Sequence, residues 1–451
     1  MSSRFERIDN SVVQALDSTM SPDAVFIMKL TLAIHPIAEI RFGENTRLDK
    51  AILVVSKAEL GDLALEVPGI ESVDFEIVRP GESCRAGPVF DVVEPRAKAP
   101  GGSPDWPGIL SAPQTAGSGT THVLAGGAVT LLREESPAES RGATGFVLEM
   151  SGEAAAGSHY ATLHHLIMIP HTKSSMPAHG RQKAYRSAQM KIAVHLARAA
   201  LDVTPERTHA LDTLVEEGRK ALPRVAYVGQ IFSRQRKPVP DEHILYGADT
   251  DGMLPTLLHP NEWLDGALVP SYHTSLGGAE TYFYQNHPVI TELYRRHKAR
   301  ELNFIGTVAT VASADNLDRE RNTRFAANLV KWALKADAAV LTKFGGGVPH
   351  TDLAETARLL EFDGVKTAVQ VTDLARDRRV ESALLFNFPE VNAIVCIGGN
   401  STKWTLRPVE RVIAANSGLA EMLAGPFEIE SLNVIGVANQ QGASRLRSMV
   451  Y

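Results

Sequence analysis

Between positions 24 and 149 the apolar residues come in short runs separated by Gly, Pro, Asn and Asp. The runs are AVFIMKLTLAI, AILVV, FEIV, FDVV, HVLAGGAVTLL and GFVLEM. Short apolar runs bounded by turn-forming residues are typical of β-strands. The pattern therefore predicts a β-rich domain over residues 26–180, after a polar N-terminal extension at residues 1–25.

A helical pattern begins near residue 182. Tyr185, Ala188 and Ile192 recur at three- and four-residue spacing, which gives a helix one apolar face. We interpret residues 181–222 as a helical segment that connects the two halves of the chain.

The second half of the chain alternates between predicted buried strands and helices. The strands are RVAYVGQIF, LNFIGTVATV, DAAVLTK, KTAVQVTD, VNAIVCI and NVIGVA. An apolar stripe of Phe325, Leu329 and Trp332 predicts a helix over residues 316–335. Strands this apolar, joined by helices, are typical of a parallel sheet covered on both faces. The predicted fold class is therefore α/β, with a β-rich N-terminal domain and, over residues 223–451, a doubly wound, mostly parallel α/β domain.

Composition and charge exclude several classes of protein. The chain has 451 residues, and its 46 Lys and Arg against 52 Asp and Glu give a net charge of −6, which argues against a nucleic-acid partner. No apolar run approaches the ~18 residues of a membrane helix. The charged start lacks an apolar signal core, so we expect a cytoplasmic protein with no membrane partner. With only Cys84 and Cys396 there is no disulfide scaffold, and we expect Cys84 to be a small buried residue.

Two glycine-rich loops follow predicted strands. The first, LTKFGGGVPHTDL at 341–353, precedes a helix whose free N–H groups and dipole can hold an anion. The second, IGGNSTKW at 397–404, follows a later strand of the same sheet. A tight turn without a ligand and a solvated lysine are the alternative interpretations. The predicted substrate- or anion-binding residues in these loops are Lys343, Gly345, Gly346, Gly347, Gly398, Gly399 and Asn400.

A third polar segment, GSGTTHVLAGG at 117–127, lies in the β-rich half. The hydroxyls of Thr120 and Thr121 are candidates for substrate binding, and the imidazole of His122 is a candidate for proton transfer. A hairpin turn with a hydrogen-bonded histidine explains the segment nearly as well. The adjacent histidines of HHLIM point to opposite faces of a strand and do not share a metal, so no metal site is predicted.

The stretch GALVPSYHTSLGGAETYFYQNHP, residues 266–288, concentrates hydroxyl, imidazole and glycine residues after a short apolar strand. It contains no cysteine. One interpretation is a polar loop over the edge of the sheet. The other is a site whose candidate catalytic residues are Ser271, His273, Thr274 and Ser275.

Taken together, these segments resemble the pyruvoyl-type α subunit of component B of the glycine, sarcosine and betaine reductases, with D-proline reductase as a more distant relative. The resemblance runs through RPGESCRAGPVFDVVEPRAK, GSGTTHVLAGGAV, YGADTDGMLPTLLHPNEWLDGALV and TYFYQNHPVITELYRRHKARELNFIG. It extends almost from end to end of the chain.

This resemblance implies covalent catalysis. The family precursor cleaves itself at a cysteine in the loop after the equivalent of DGALV, which leaves an amino-terminal pyruvoyl group. That ketone forms an imine with the substrate amine and activates its C–N bond for attack by a selenol or thiol. The implied assembly is a hetero-oligomer with a component B β-type subunit that carries the reactive selenocysteine or cysteine, and the implied substrate is a small amine.

The chain departs from the family pattern because residues 266–288 lack that cysteine. The cofactor is therefore unknown, and a pyruvoyl group requires that a hydroxyl between Ser271 and Ser275 replaces the thiol. A threonine in this role gives a 2-oxobutyryl group instead. A hydroxyl is a poorer nucleophile than a thiolate and needs a base, for which His273 is the candidate.

Three hypotheses stay open. The first is a component B-like oxidoreductase subunit of the reductive deaminase type, which acts on the C–N bond of an amino-acid-derived amine. The second is an uncleaved relative that performs other C–N or C–S chemistry in specialised metabolism. The third is a non-catalytic partner subunit. Cleavage of the chain distinguishes the first hypothesis from the other two.

Overall fold

The structure, a computed structural model, describes most of the chain. The described residues are 28–134, 146–211, 221–235, 242–272, 280–373, 389–391, 393–399, 403–437, 439, 441–442 and 449–450. The protein is mixed α/β, with several sheets that combine parallel and antiparallel strands. The predicted polar extension lies outside the described residues.

The strands and helices follow one another throughout the chain. The strands are β1 Leu30–Pro36, β2 Glu39–Phe42, β3 Arg47–Asp49, β4 Ile52–Val55, β5 Ile70–Val78, β6 Cys84–Ala86, β7 Val89–Val93, β8 Arg96–Lys98, β9 Gly119–Ala125, β10 Gly127–Leu132, β11 Leu148–Glu149, β12 His164–Thr172, β13 Arg207–Leu211, β14 Arg224–Arg234, β15 Thr256–Leu258, β16 Asn303–Ser313, β17 Ala338–Thr342, β18 Lys366–Asp373, β19 Ile394–Gly399, β20 Lys403–Leu406, β21 Arg411–Ile413, β22 Phe427–Glu430 and β23 Met449–Val450. The helices are α1 Lys57–Leu65, α2 Gly152–Gly157, α3 Ala178–Arg198, α4 Pro260–Leu264, α5 Thr281–Gln285, α6 Pro288–Lys298, α7 Asn316–Asn328, α8 Val348–Phe362 and α9 Ser417–Ala424. Short 3-10 turns occupy Tyr160–Thr162 and Ser431–Asn433, and a π-helical turn, Leu329–Ala333, extends α7.

The first half of the chain is built mainly from two four-stranded sheets. Their strand orders are β13-β1-β9-β8 and β5-β12-β10-β7. Helix α3 packs on β7, β8, β9 and β10, and its Tyr185, Ala188 and Ile192 are buried in the core that these strands share. The helix predicted near residues 182–203 is thus confirmed as α3.

Strand β13 lies in the predicted connecting segment, residues 181–222. It pairs antiparallel with β1, which joins this segment to the β-rich half of the chain. The segment therefore contains a strand as well as a helix. The boundaries predicted for the two domains stay predictions.

A seven-stranded sheet organises the second half of the chain. Its order is β15-β16-β14-β17-β18-β19-β23, with five parallel inner strands and two antiparallel edge strands. The five inner strands were all predicted. The sixth predicted strand, NVIGVA, is wrong over its described residues: Asn433 ends a 3-10 turn, and Val434 makes an isolated bridge to Val147. Val434 and Val437 are buried in a small core beside α2 and α9, and Ile435 is buried in a neighbouring core of the β-rich half.

Both faces of the seven-stranded sheet are covered. Ala226 and Val228 contribute to a core with α7 and α8, whereas Val225 and Tyr227, which alternate with them along β14, contribute to a core with α4 and α6. The chain passes from β14 to β16 on one side and then crosses to β17 on the other. In open α/β sheets ligands bind at the carboxyl edge beside such a crossing.

The predicted helix over residues 316–335 is confirmed as α7 and its π-helical turn, but of its predicted apolar stripe only Leu329 packs on the core. Phe325 is 41% exposed and Trp332 is 68% exposed. The buried residues are instead Asn322, Thr323, Ala326, Ala327 and Val330. The π-helical turn changes the spacing along the helix, and small residues allow α7 to pack closely on α8, so the large side chains point outward.

Buried neutral histidines make the fold sensitive to acid. The ring of His165 bonds Thr130 Oγ1 and the carbonyl of Tyr160, both at 2.8 Å, and burial lowers its pKa from 6.5 to about 4. The stability that depends on neutral His165 is therefore present above pH 6.5 and is lost as the pH falls toward 4. We expect this histidine to lower the free energy of unfolding by roughly 3 kcal/mol over that range. Urea unfolding at pH 7 and pH 4 measures the loss. His165→Gln, whose amide does not titrate, should reduce it, and an equal loss in the variant would contradict the assignment.

Candidate active site

The segment that leads into residues 273–279 is held by a second stretch of backbone. Residues 242–246 and 267–271 run antiparallel and are joined by backbone hydrogen bonds of 2.7 and 3.0 Å. This register places Glu242 opposite Ser271. Ser271 Oγ donates to Glu242 Oε1 at 2.6 Å, and the Tyr272 N–H donates to the same oxygen. Both side chains are buried, so the serine hydroxyl contacts a carboxylate away from bulk water.

Arg186 on helix α3 places its guanidinium beside the peptide bond between Pro270 and Ser271. Arg186 is 0% exposed, and its Nη1 donates to the carbonyl of Pro270 at 2.6 Å and to that of His243 at 3.4 Å. The ring of Tyr272 packs on this guanidinium, with its centre 4.8 Å from Cζ. The peptide bond between Pro270 and Ser271 therefore lies between a carboxylate and a guanidinium.

Asp91 on β7 links Arg186 to Thr281, which follows residues 273–279 in the chain. Its carboxylate lies 3.6 Å from Arg186 Nε and accepts hydrogen bonds from the Thr281 N–H at 2.8 Å and from Thr281 Oγ1 at 2.6 Å. Burial raises the pKa of Asp91, while Arg186 and the bonds from Thr281 act in the opposite direction. The chain on both sides of residues 273–279 is thus anchored on one buried ion pair. We refer to Asp91, Arg186, Glu242, Ser271 and Thr281 as the loop cluster.

Only part of the predicted processing loop is described. Ser271 lies in the loop cluster, whereas His273, Thr274 and Ser275 fall outside the described residues. Their catalytic roles stay predictions. For Ser271, the structure supplies a carboxylate partner, Glu242, where the sequence suggested an imidazole from His273.

The Thr120–His122 segment points its side chains in two directions, because neighbours in strand β9 face opposite sides of the sheet. Thr121 Oγ1 donates to Asp265 Oδ1 at 2.9 Å. The ring of His122 stacks on His35, with Nδ1 3.0 Å from His35 Nε2. Burial lowers the pKa of both histidines, which favours neutral imidazoles. Thr120 is half-buried at the start of the strand.

The Asp265 carboxylate accepts several hydrogen bonds and lies beside a cavity of about 20 Å³. Its carboxylate forms a buried ion pair with Lys98 and accepts the Gly117 N–H at 2.8 Å as well as the bond from Thr121. A cavity of this size holds on the order of one water molecule. Asp265 thus fixes the start of the segment that leads to Ser271.

The first glycine loop lies at the crossing point of the seven-stranded sheet. Lys343 is 0% exposed, and its Nζ donates to the carbonyl of Gly345 at 2.6 Å, so the interpretation of a solvated lysine is wrong. Gln230 accepts a loop N–H at 3.1 Å, and Gln235 donates to a loop carbonyl at 2.5 Å. Side chains of the protein itself therefore bind this loop.

The second glycine loop lies at the same edge of the sheet. Gly398 and Gly399 end β19, which is parallel to β18 and therefore shares its carboxyl edge with β17. Asn400 falls outside the described residues. The two glycine loops therefore lie at the same edge of one sheet, as expected from the sequence. Anion binding by these loops stays a prediction.

Of the loop cluster, sequence reasoning named only Ser271 and missed the other four residues, which are Asp91, Arg186, Glu242 and Thr281. Asp91 is a lone carboxylate in the apolar run FDVV, and Arg186 follows Tyr185 in a buried stretch of α3. Charges inside apolar patterns are informative, because they are buried only when they are paired. Glu242 carries no comparable signal, since only the backbone pairing brings it to Ser271.

Neither cysteine is a candidate nucleophile at the loop cluster. Both are free and buried, and burial raises the pKa of Cys84 to about 12, so its thiol stays protonated at neutral pH. Within the described part of the chain there is no group of three or more His, Cys, Asp or Glu side chains placed to bind a metal. The described helices also include none that is long and apolar enough to cross a bilayer.

Comparison with known proteins identifies the family. The sequence model of the glycine/sarcosine/betaine reductase component B subunits matches residues 28–441, and the chain belongs to this family. The resemblance inferred from the motifs is therefore confirmed. The family consists of oxidoreductase subunits of amino acid metabolism.

The chain is similar to subunits of three reductase complexes of Peptoclostridium acidaminophilum. It is 30% identical over 439 residues to glycine reductase complex component B subunits alpha and beta, covering 94% of this chain and 100% of the relative. It is 30% identical over 443 residues to sarcosine reductase complex component B subunit alpha, at 94% and 100% coverage. It is 31% identical over 403 residues to betaine reductase complex component B subunit alpha, at 87% and 89%. No solved structure matches the chain significantly.

Proposed function

We propose that the chain is the α-type subunit of a component B-like complex that acts on the C–N bond of a small amino-acid-derived amine. A thiol or selenol on a β-type partner subunit attacks the carbon next to that bond. The names of the relatives, which are reductases of glycine, sarcosine and betaine, support this substrate class.

The loop cluster is the observation that carries the proposal. In the family, the loop after DGALV supplies the reactive carbonyl group. Here the same loop leaves Ser271 and returns at Thr281, and the Arg186–Asp91 ion pair holds both ends. The Ser271 hydroxyl, already bonded to Glu242, fits the role of the missing thiol. When present, a ketone at this position supplies an electron sink for the amine nitrogen.

The absence of a cysteine between residues 266 and 288 favours one alternative. In it the chain stays uncleaved and either performs other C–N or C–S chemistry or serves as a non-catalytic partner subunit. The two functions differ in one measurable respect, which is whether the purified chain carries a ketone.

A trapping experiment tests the proposed function. The full-length chain is incubated with glycine, sarcosine or betaine in the presence of sodium cyanoborohydride, and its intact mass is measured. We expect a covalent adduct with glycine and with sarcosine, because their nitrogens condense with a ketone. Betaine, whose quaternary nitrogen cannot condense, is the matched control.

Labelling with phenylhydrazine reports the ketone independently of substrate. A ketone that takes up neither glycine nor sarcosine would contradict the substrate class. A single unlabelled species of 48.8 kDa would overturn the proposal and favour the uncleaved alternative.

A further inference from the structure

We infer that the chain cleaves itself between Pro270 and Ser271, with Ser271 as the nucleophile, Glu242 as its base and Arg186 as the group that stabilises the oxyanion. The use of the resulting ketone on an amine rests on the proposed function. The position of the cut and the roles of these residues rest on the loop cluster alone.

The proposed nucleophile, Ser271, and its proposed base, Glu242, are in direct contact. Ser271 Oγ lies 2.6 Å from Glu242 Oε1, within the range of a strong charge-assisted hydrogen bond. A serine hydroxyl becomes nucleophilic only when a neighbouring base accepts its proton. The antiparallel register of residues 242–246 and 267–271 holds the two side chains opposite each other before any reaction takes place.

The electrophile is the carbonyl of Pro270, which belongs to the peptide bond just before Ser271. When Ser271 Oγ adds to this carbon, negative charge develops on the carbonyl oxygen. Arg186 Nη1 already donates to that oxygen at 2.6 Å. A preorganised cationic donor in a buried site stabilises such an oxyanion strongly, because no water has to reorganise around it.

The chemistry needs one water molecule and no redox partner. Ser271 Oγ bonds to the Pro270 carbonyl carbon, and Glu242 passes the hydroxyl proton to the departing amide nitrogen, which leaves an ester. Glu242 then removes the Cα proton of Ser271, the Cβ–Oγ bond breaks, and Pro270 departs as a carboxylate. The remaining dehydroalanine takes a proton on Cβ and becomes an imine. Water hydrolyses the imine, which releases ammonia and leaves a pyruvoyl group.

Intact mass and an oxygen label test the inference. The full chain, made by cell-free translation from unlabelled amino acids in oxygen-18 water, is expected as two fragments, residues 1–270 and 271–451. The second fragment should be lighter than its sequence by one ammonia. The new Pro270 carboxylate should contain no oxygen from water, because its second oxygen comes from Ser271. A contaminating protease would place a water oxygen in that carboxylate, which would contradict self-cleavage.

Variants separate the roles of the three residues. Ser271→Ala should abolish the cut, and Ser271→Thr should give a second fragment heavier by one methylene, the signature of a 2-oxobutyryl group. Glu242→Gln should slow cleavage about 100-fold or more, as expected for loss of a general base. Arg186→Lys should slow it roughly 100- to 1000-fold, as expected for loss of an oxyanion donor.

The matched control is Ser158→Ala, which removes a buried serine hydroxyl that donates to the carbonyl of Ile435 at 2.7 Å. We expect this variant to be cut normally. A cut before Thr274 or Ser275, or a cut that persists in Ser271→Ala, would overturn the assignment and leave the proposed function standing. A chain that is never cut would overturn both.

Discussion

Replacing Arg186 with Met is expected to lower the free energy of unfolding by roughly 3–5 kcal/mol. The substitution leaves the buried Asp91 carboxylate without its cation and removes the donor to the Pro270 carbonyl. It also removes the guanidinium that packs on the rings of Phe90 and Tyr272. A buried charge that loses its partner retains its desolvation penalty, so the loss exceeds the value of one hydrogen bond.

Urea unfolding measures this effect. The measurement is made in a Ser271→Ala background, so that every variant has the same, uncut chain. Adding Asp91→Asn to Arg186→Met should restore more than half of the lost stability, because the amide oxygen still accepts from Thr281 and no charge is left unpaired. The control is Arg411→Met, which breaks partly exposed ion pairs with Glu76 and Glu82 and should cost at most ~1 kcal/mol. Equal losses in the two single variants would contradict this account.

The sequence predicted the inner strands of the seven-stranded sheet better than the buried face of α7. The inner strands of the seven-stranded sheet are largely apolar and buried on both faces, so their position is visible in the pattern. The face that α7 buries depends on what it packs against. Ala326 and Ala327 allow α8 to approach closely, and the π-helical turn displaces Trp332, and neither effect is visible in the spacing of large apolar residues.

The sequence likewise predicted one part of the candidate site, the position of the loop, and missed the groups that surround Ser271. The position of the loop was predictable, because long motifs before and after it resemble the family in the same order. The groups around Ser271 were not, because they come from distant parts of the chain. Asp91 lies on a strand of the β-rich half, Arg186 lies on α3, and Glu242 lies in the stretch 242–246 that pairs with residues 267–271. Such contacts are set by tertiary packing, and no local pattern of a single sequence specifies them.

The loop cluster and the contacts of Asp265 act on the same piece of backbone, residues 265–271. Asp265 fixes its start through Lys98, Gly117 and Thr121. Arg186 fixes its end through the carbonyl of Pro270. The register that aligns Ser271 with its carboxylate is therefore determined from both ends by buried charges. We expect this arrangement because a reacting pair must be held within a fraction of an ångström of its productive geometry.

Replacing Asp265 with Ala is expected to destabilise the protein by roughly 3–5 kcal/mol, since the Lys98 ammonium then stays buried without a counter-charge. The Gly117 N–H and the Thr121 hydroxyl lose their acceptor at the same time. Urea unfolding measures the loss, and Lys98→Met added to Asp265→Ala should recover a large part of it. The control, Glu66→Ala, removes the partner of Lys191 in an exposed ion pair and should cost at most ~1 kcal/mol. If the double variant is no more stable than Asp265→Ala, the unpaired Lys98 ammonium is not the source of the loss, and the Gly117 N–H and the Thr121 hydroxyl that lost their acceptor account for it.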